Sequence, residues 1–578
     1  MHAETTRLLT DPWPELVFGF TAAVGADVDT FVNIFEKLLK HYQYKGRTLR
    51  LSTLLSRVDP KWLGTTLDDS TEFQRIWTHM NAGDALRKKT GSGEALAVWS
   101  IGDINSQRSE GSAGKEPLRA EAPLKGIAHL LRTIKHPDEV RLLREVYKSG
   151  FYLIALHTSE DARIAYLTGL HGMTRDEACR LISRDRGDQE PEHGQHTRDT
   201  FQMADVFILQ DAEQTQKQVE RFLRLVFGDP LVTPTRDEHA MFMAYSASLR
   251  SADLSRQVGA VIRRDGIGLV ATGANDVPAP GGGLYWPDDH QDDQFDRRDY
   301  RFPRTKGGEG GHDSNERHKR EIADEVAEKV RKDVSSSFGA LVKACIAGWK
   351  ESELDTRTQE LLAEQAVALT KLAETELAKL SDQCKRSVRD TRLIDITEFG
   401  RAVHAEMDAI LSCARNGTRT RGSTLLCTTF PCHNCAKHII AAGIRRVVYI
   451  EPYPKSQTFD LHPDSAILDE TCAHVEDPHH ENFGSERSGM EETRPVAFQP
   501  FIGVGPRRFF DLFSMKLSAG YPLQRKDKGT GDAARWSKDQ AAVRLPLSPV
   551  SYLDREYRIV VELLDTWRKY EDQVDHKR

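Results

Sequence analysis

Two short motifs hold the residues with the most chemistry in them. One is His404–Ala405–Glu406; the other, starting 27 positions after His404, is Pro431–Cys432–His433–Asn434–Cys435. One imidazole and two thiolates make a good donor set for a borderline metal such as zinc. Three protein ligands leave a fourth position open for water, which is the catalytic arrangement rather than the closed structural one. Cys432 and Cys435 fall at the start of a predicted helix, where the helix N-terminus favours thiolates. His404 opens a second helix, so two helix starts can clasp one ion. Glu406 lies two residues past His404, near the metal without being a ligand. A carboxylate there can take a proton from the attacking water and hand it to the substrate. His433 stands between the two cysteines and is left outside the primary site. Cys413 and Cys427 read as small core residues.

His-x-Glu followed by Pro-Cys-x-x-Cys is the signature of zinc-dependent nucleobase deaminases. On these residues the chain resembles the cytidine and deoxycytidylate deaminase superfamily. More closely, it resembles bacterial anti-phage deaminases that join an N-terminal P-loop kinase-like domain to a deoxycytidylate deaminase domain. The deaminase resemblance covers roughly 235–290 and 390–515, and includes Arg250–Ala260 (RSADLSRQVGA) and the run ATGANDVP around Asn275. It implies zinc on His404, Cys432 and Cys435, with Glu406 as proton shuttle. It implies that Asn275 holds the deoxyribose hydroxyl and that Thr429, with Thr428, lines the pocket. Tyr453 is a candidate for packing near the base. Lys455, Arg507 and Arg508 are candidates for phosphate. The implied reaction converts dCMP and dCTP to dUMP and dUTP with release of ammonia, depleting dCTP during phage infection. Also implied are a homo-oligomer and a small regulatory RNA that inhibits the protein. A deaminase of single-stranded nucleic acid would share the metal chemistry, and a catalytically silent sensor would share the fold. Both stay open here, against the acidic balance of the chain and an intact Glu406.

The opening of the chain carries a second, weaker motif. Glu15–Phe20 reads as a buried strand, and Phe31, Ile34, Phe35, Leu38, Leu39 and Tyr42 recur at helical spacing. Strand, glycine loop and helix open a nucleotide-binding α/β unit. A phosphate-cradling loop of the G-x-x-x-x-G-K-[ST] type puts lysine on phosphate and a hydroxyl on magnesium. Here Gly19 comes one place early, Gly25 keeps its place, and Ala26 and Asp27 replace the lysine and the hydroxyl residue. Phosphoryl transfer is therefore disfavoured. A regulatory nucleotide site, with or without Mg2+, and a purely structural domain are the readings left. Lys135–Glu139 and Arg163 also resemble pieces of small-molecule kinases, and Arg184, Arg186 and Arg198 are candidates for a lid over phosphates.

These motifs need an α/β frame. Phe151–Leu156 and Val206–Leu209 read as strands, Asp138–Tyr147 and Thr215–Leu225 as helices, which suggests a mainly parallel sheet. Arg184–Thr200 reads as a charged surface loop. Gly259–Ile262 and Gly268–Gly273 read as a hairpin around Arg264–Gly266. Phe399–Cys413, Thr424–Thr428, Cys435–Ala442 and Arg446–Ile450 then alternate helix and strand. The expected fold class is α/β: a kinase-like parallel-sheet domain over 1–230, and an α-β-α deaminase domain over 231–520. The second is interrupted by a charged helical insertion at 288–388 and followed by an extension, 521–578.

Composition bounds the rest. The chain has 578 residues, with 80 Lys plus Arg against 87 Asp plus Glu, a net charge of −7. That argues against a nucleic-acid footprint spread over the whole protein, and no DNA substrate is expected. No apolar run reaches the length of a membrane span, and the first residues lack a basic segment followed by an apolar one. Eight cysteines, four of them within 413–435, suit a reduced cytoplasmic protein with one metal site.

Overall fold

The computed structural model describes residues 14–108, 123–187, 196–288, 297–301, 313–350, 355–389, 391, 399–453, 455–472, 494–517, 521–526, 533–545 and 552–562. Among them are two six-stranded sheets.

In the first sheet, β1 (Leu16–Ala22), β2 (Lys45–Arg50), β3 (Ile127–Arg132), β4 (Phe151–His157) and β5 (Val206–Leu209) run parallel in the order β5-β4-β1-β3-β2. β1 is buried along its whole length. A strand covered on both faces has no polar side to show, so its sequence runs apolar without alternation. The helix Val28–Lys40 turns Phe31, Phe35, Leu38 and Leu39 inward, and Asp27 caps it by accepting from the Thr30 amide. Phe18 and Phe20 of β1 meet Phe35 edge-on, at ring-centroid distances of 5.0 and 5.4 Å. β2, with the sequence KGRTLR, lies at the sheet edge and is nowhere fully buried. It has no apolar pattern, so the sequence reading passes over it.

The second sheet holds β6 (Gly259–Arg264), β7 (Gly268–Ala274), β8 (Thr424–Thr429), β9 (Arg446–Glu451), β10 (Ala466–Leu468) and β11 (Val496–Pro500), in the order β10-β11-β9-β8-β6-β7. β8, β9, β11 and β10 are parallel, and β6 is antiparallel to β8. A last short strand, β12 (Gly503–Val504), leaves this sheet and pairs antiparallel with β5 of the first. One continuous core runs from Val17, Leu131, Leu153 and Phe207 of the first sheet to Met241, Val261, Leu426, Val448 and Phe501. The opposite face of the first sheet is covered separately, with Phe18, Phe35, Tyr152 and Phe222 at its centre.

Contacts divide the chain into two compact units. One comprises 1–246, 260–272 and 416–578; the other comprises 247–259 and 273–415. The second contains the insertion, whose described helices Ser314–Lys350 and Thr356–Arg389 pack on each other. Among the described residues, no helix is long and apolar enough to cross a membrane.

Two local expectations change. The helix expected from Phe399 begins at Ala405, because Val403 is drawn into an extended bridge with Asp276. The stretch Arg184–Thr200 is not all loop: its start belongs to the helix Arg175–Gly187 and its end to the helix Thr197–Gln202, with 188–195 outside the described residues.

A buried ionic cluster ties the N-terminal strand to the end of the described chain. Arg108 donates from Nε to both oxygens of Glu15, at 3.1 Å each, and grips Glu556 through its two terminal nitrogens. His129 meets Glu15 Oε1 at 3.0 Å, and Tyr552 donates its hydroxyl to Glu15 Oε2. Burial pushes the Glu15 carboxyl up, but the bonds to His129 and Arg108 outweigh it and bring the group down to about 2.

Candidate active site

The site is assembled from two short pieces of backbone that each end at a helix. The first is the segment around Asn275 together with His404. Val403 donates to the Asp276 carbonyl at 2.9 Å, and Asp276 donates back at 3.3 Å. This bridge keeps the chain extended up to His404. The helix Ala405–Arg415 starts immediately afterwards, and its Asp408 amide donates to the His404 carbonyl at 2.9 Å. Asp408, buried with its carboxyl pushed up by desolvation, accepts from the Ala274 amide at 3.3 Å.

Gly273 sets the distance between that helix and β7. A Cβ there would stand 2.1 Å from the Ala405 carbonyl oxygen and 2.5 Å from the Ala409 nitrogen. Those are backbone atoms, so the clash can be relieved only by moving the helix and the strand apart. Gly273→Ala is therefore expected to displace His404 and Glu406 and lower kcat/KM by about 100-fold, the usual order for a misplacement near 1 Å. Steady-state kinetics on the folded variant check this.

Asn275 is buried, and its amide is held at both ends. Oδ1 accepts from the Val258 amide at 2.6 Å, and Nδ2 donates to the Arg256 carbonyl at 2.7 Å. Its own carbonyl accepts from the Ser251 hydroxyl at 2.6 Å. The residue therefore fixes the RSADLSRQVGA loop. The bond to Arg256 uses one of its two Nδ2 hydrogens.

The second piece follows β8. The Phe430 amide donates to the Glu451 carbonyl at 2.7 Å, and the Ser456 hydroxyl donates to the Pro431 carbonyl at 3.0 Å. Phe430 is packed against Tyr449, Phe459 and Phe498. So anchored, the chain presents Cys432 as the N-cap of the helix His433–Ala441, two residues earlier than the sequence pattern suggests. Cys435 is fully buried and Cys432 is 9% exposed. The Thr429 hydroxyl donates to Glu451 Oε2 at 3.0 Å.

His404, Cys432 and Cys435 each offer one ligand atom, and these atoms all lie within 4.8 Å of one another. One nitrogen and two sulfurs at that spacing fit a tetrahedral zinc ion with one position left for a non-protein ligand. Glu406 is buried at 4% exposure in the first turn of the helix that follows His404. Cys413 and Cys427 are buried core residues, and burial pushes the Cys413 thiol up. No disulfide joins any of the eight cysteines.

The other candidates are placed as follows. Tyr453 is half-buried and Lys455 exposed, both in the segment after β9. Arg507 and Arg508 follow β12 to the edge of the first sheet. Arg508 is buried there, donates to Asp511 Oδ2 at 3.0 Å and lies 3.5 Å from Asp205, with its guanidinium over the Tyr152 ring. Arg507 is exposed and lines a cavity of about 670 Å3 with Arg141, Arg144 and Lys148. Neither joins the metal cluster. Gly19 lies inside β1, where a Cβ would come within 2.4 Å of Ile134 and 2.8 Å of Phe151, so its bareness serves packing. Gly25, Ala26 and Asp27 form the loop at the end of β1. Of the three lid candidates, Arg184 pairs with Asp84 at 3.1 Å, Arg186 pairs with Glu160, and burial lowers the Arg198 guanidinium.

The sequence reading missed Gly273, the Val403–Asp276 bridge and Ser456. Each acts through backbone contact with a distant segment, which leaves no mark in residue type.

Comparison with known proteins agrees with the geometry. Residues 313–451 match the cytidine and deoxycytidylate deaminase zinc-binding region. The chain is 47% identical over 55 residues to the deoxycytidylate deaminase of Enterobacteria phage T4, covering 10% of this chain and 28% of that protein. It is 49% identical over 53 residues to ComE operon protein 2 of Bacillus subtilis, covering 9% and 28%. The chain thus spans about three tenths of the length of the curated relatives it matches. A solved structure, the dCMP deaminase of cyanophage S-TIM5 in complex with dCMP and dUMP, aligns at 16% identity and a TM-score of 0.19, covering 40% of this chain and 91% of that one. Residues 313–451 of this chain thus contain a region similar to the zinc-binding region of cytidine and deoxycytidylate deaminases.

Proposed function

We propose that the chain is a zinc-dependent hydrolytic deaminase of free deoxycytidine nucleotides, converting dCMP, dCTP or both to dUMP or dUTP and ammonia. The observation that carries this is the convergence of His404, Cys432 and Cys435 with a buried carboxylate two residues after the histidine. Zinc bound there supplies a Lewis acid that makes water a nucleophile at neutral pH. Glu406 accepts the proton that the water gives up and passes it to the ring nitrogen N3 as the oxygen bonds to C4. It then moves the proton of the new C4 hydroxyl to the amino group, so that the C4–N bond breaks, the C4 carbonyl forms, and ammonia leaves. Asn275 orients the sugar through its remaining Nδ2 hydrogen, and Thr429 closes the wall of the pocket. Lys455 meets the phosphate, and Tyr453 packs near the base.

The similarity to the deoxycytidylate deaminase of Enterobacteria phage T4 supports a nucleotide substrate of the deoxycytidylate class. The resemblance to anti-phage deaminases supports the wider role, a cytoplasmic homo-oligomer that depletes dCTP under control of a small RNA. In the same reading the N-terminal sheet is a regulatory nucleotide domain of P-loop kinase ancestry. Stripping zinc with a chelator is expected to abolish uracil production, and adding one equivalent back to restore it. Full activity in metal-free protein would overturn the reading.

A further inference from the structure

The β1–β4 boundary is the switch point of the first sheet. Connections from these two strands leave in opposite directions, β1 toward β2 and β4 toward β5. The crevice at the carboxyl ends of such strands is where open α/β sheets take anionic ligands. The loop in that position, Ala23–Asp27, meets a carboxylate from its own chain. The Val24 amide donates to Asp185 Oδ2 at 2.9 Å. Lys135 Nζ donates to Asp185 Oδ1 at 3.0 Å and to the Ala22 carbonyl at 2.7 Å. The Thr197 hydroxyl donates to the same Oδ1 at 3.1 Å.

A backbone amide, an ammonium and a hydroxyl around two anionic oxygens are the donor set of a phosphate cradle. Asp185 is buried, as an occupant must be, and Lys135 leads the groups that hold its carboxyl low against the upward push of burial. The loop is shaped for close approach. Gly25 has φ +89°, and a Cβ there would come within 2.9 Å of Arg163 Cβ. Arg163 is itself 5% exposed, reaches the Val24 carbonyl at 3.4 Å, and keeps a buried Nε with no hydrogen-bond partner among the described residues. That buried Nε is a donor beside the loop which Asp185 does not meet.

We infer that Asp185 is a tethered occupant of a phosphate site, so that the N-terminal sheet takes the phosphates of a nucleotide only by displacing it. This rests on the nucleotide reading of that domain and names its regulation. A tethered carboxylate competes at a local concentration in the millimolar range, so ligand affinity is set by how firmly Asp185 is held. Replacement of the usual loop lysine by Ala26 is consistent with this, because Lys135, from the segment after β3, supplies an ammonium that already holds an anion.

Binding of ATP with Mg2+, and of inorganic pyrophosphate as the base-free arm, should be measured calorimetrically on the whole chain. Wild type is expected to bind at least 10-fold more weakly than Asp185→Asn, which keeps the shape and removes the charge. Thr197→Val, which removes a single donor to Asp185, is expected to tighten binding threefold or more and serves if the first variant does not fold. Circular dichroism and urea unfolding establish that each variant is folded. Equal affinity in wild type and folded variants would overturn the tethered occupant while leaving the nucleotide reading intact. Absence of binding in all folded variants would overturn both. Pyrophosphate binding as tight as ATP would assign the site to phosphate groups alone.

Discussion

Glu406→Gln is expected to keep its zinc and lose turnover by a factor of about 10² to 10⁴, the usual worth of a positioned general acid and base. Glutamine matches glutamate in shape and can still accept a hydrogen bond, so the helix Ala405–Arg415 should stand. What it cannot do is take a proton from water and return it to the ring and the leaving amine. In the proposed role Glu406 serves the chemistry more than binding, so kcat should fall while KM changes little. Zinc content measured on the same preparation separates this from loss of the metal. The three ligands should hold zinc at the wild-type stoichiometry, since Glu406 is not one of them. A variant that retained full turnover would mean that another group moves the protons.

Arg108→Met is expected to destabilise the protein by about 3–5 kcal/mol, the order seen when one partner of a buried ionic group is removed. Arg108, Glu15 and Glu556 are each at most 1% exposed, and the guanidinium is shared between the two carboxylates. Without it, two carboxylates face each other in the core with only His129 and Tyr552 bonded to Glu15. Chemical unfolding measures the loss, and a change below about 1 kcal/mol would show that the cluster carries little. Adding Glu556→Gln to Arg108→Met should recover part of it, because one uncompensated charge disappears.

The pH dependence has a definite sign. Glu15 is held at about 2 in the fold against an ordinary 4.5. Its contribution is fully present above 4.5 and is lost as pH falls toward 2. Burial pushes Glu556 the other way, so part of that loss is offset in the acid range.

Much of the metal site can be read from residue types. His404, Cys432 and Cys435 are rare donors at a spacing that chance seldom gives, and the structure brings their ligand atoms together. The strands that hold them also show, because β8 and β9 are short apolar runs between predicted helices. What the sequence conceals is contact between distant backbones. Nothing in ATGANDVP tells that Gly273 must be bare for a helix starting 132 residues later. Nothing in FIGVGPRR tells that this stretch crosses to the other sheet as β12 and buries Arg508 beside Asp205. Edge strand β2 is similarly silent, since its six residues are mostly polar and their conformation comes from pairing with β3. The degenerate loop after β1 reads from sequence as a regulatory nucleotide site or a structural turn, whereas its contact with Asp185 depends on a helix about 160 positions away.

The central claim is that this site deaminates free deoxycytidine nucleotides. The direct measurement offers the purified whole chain dCMP, dCTP, cytidine and a cytosine-containing oligonucleotide side by side and follows the uracil products. The account predicts dUMP, dUTP or both, with ammonia released in equal amount and the oligonucleotide untouched. Uracil formed in the oligonucleotide alone would contradict it.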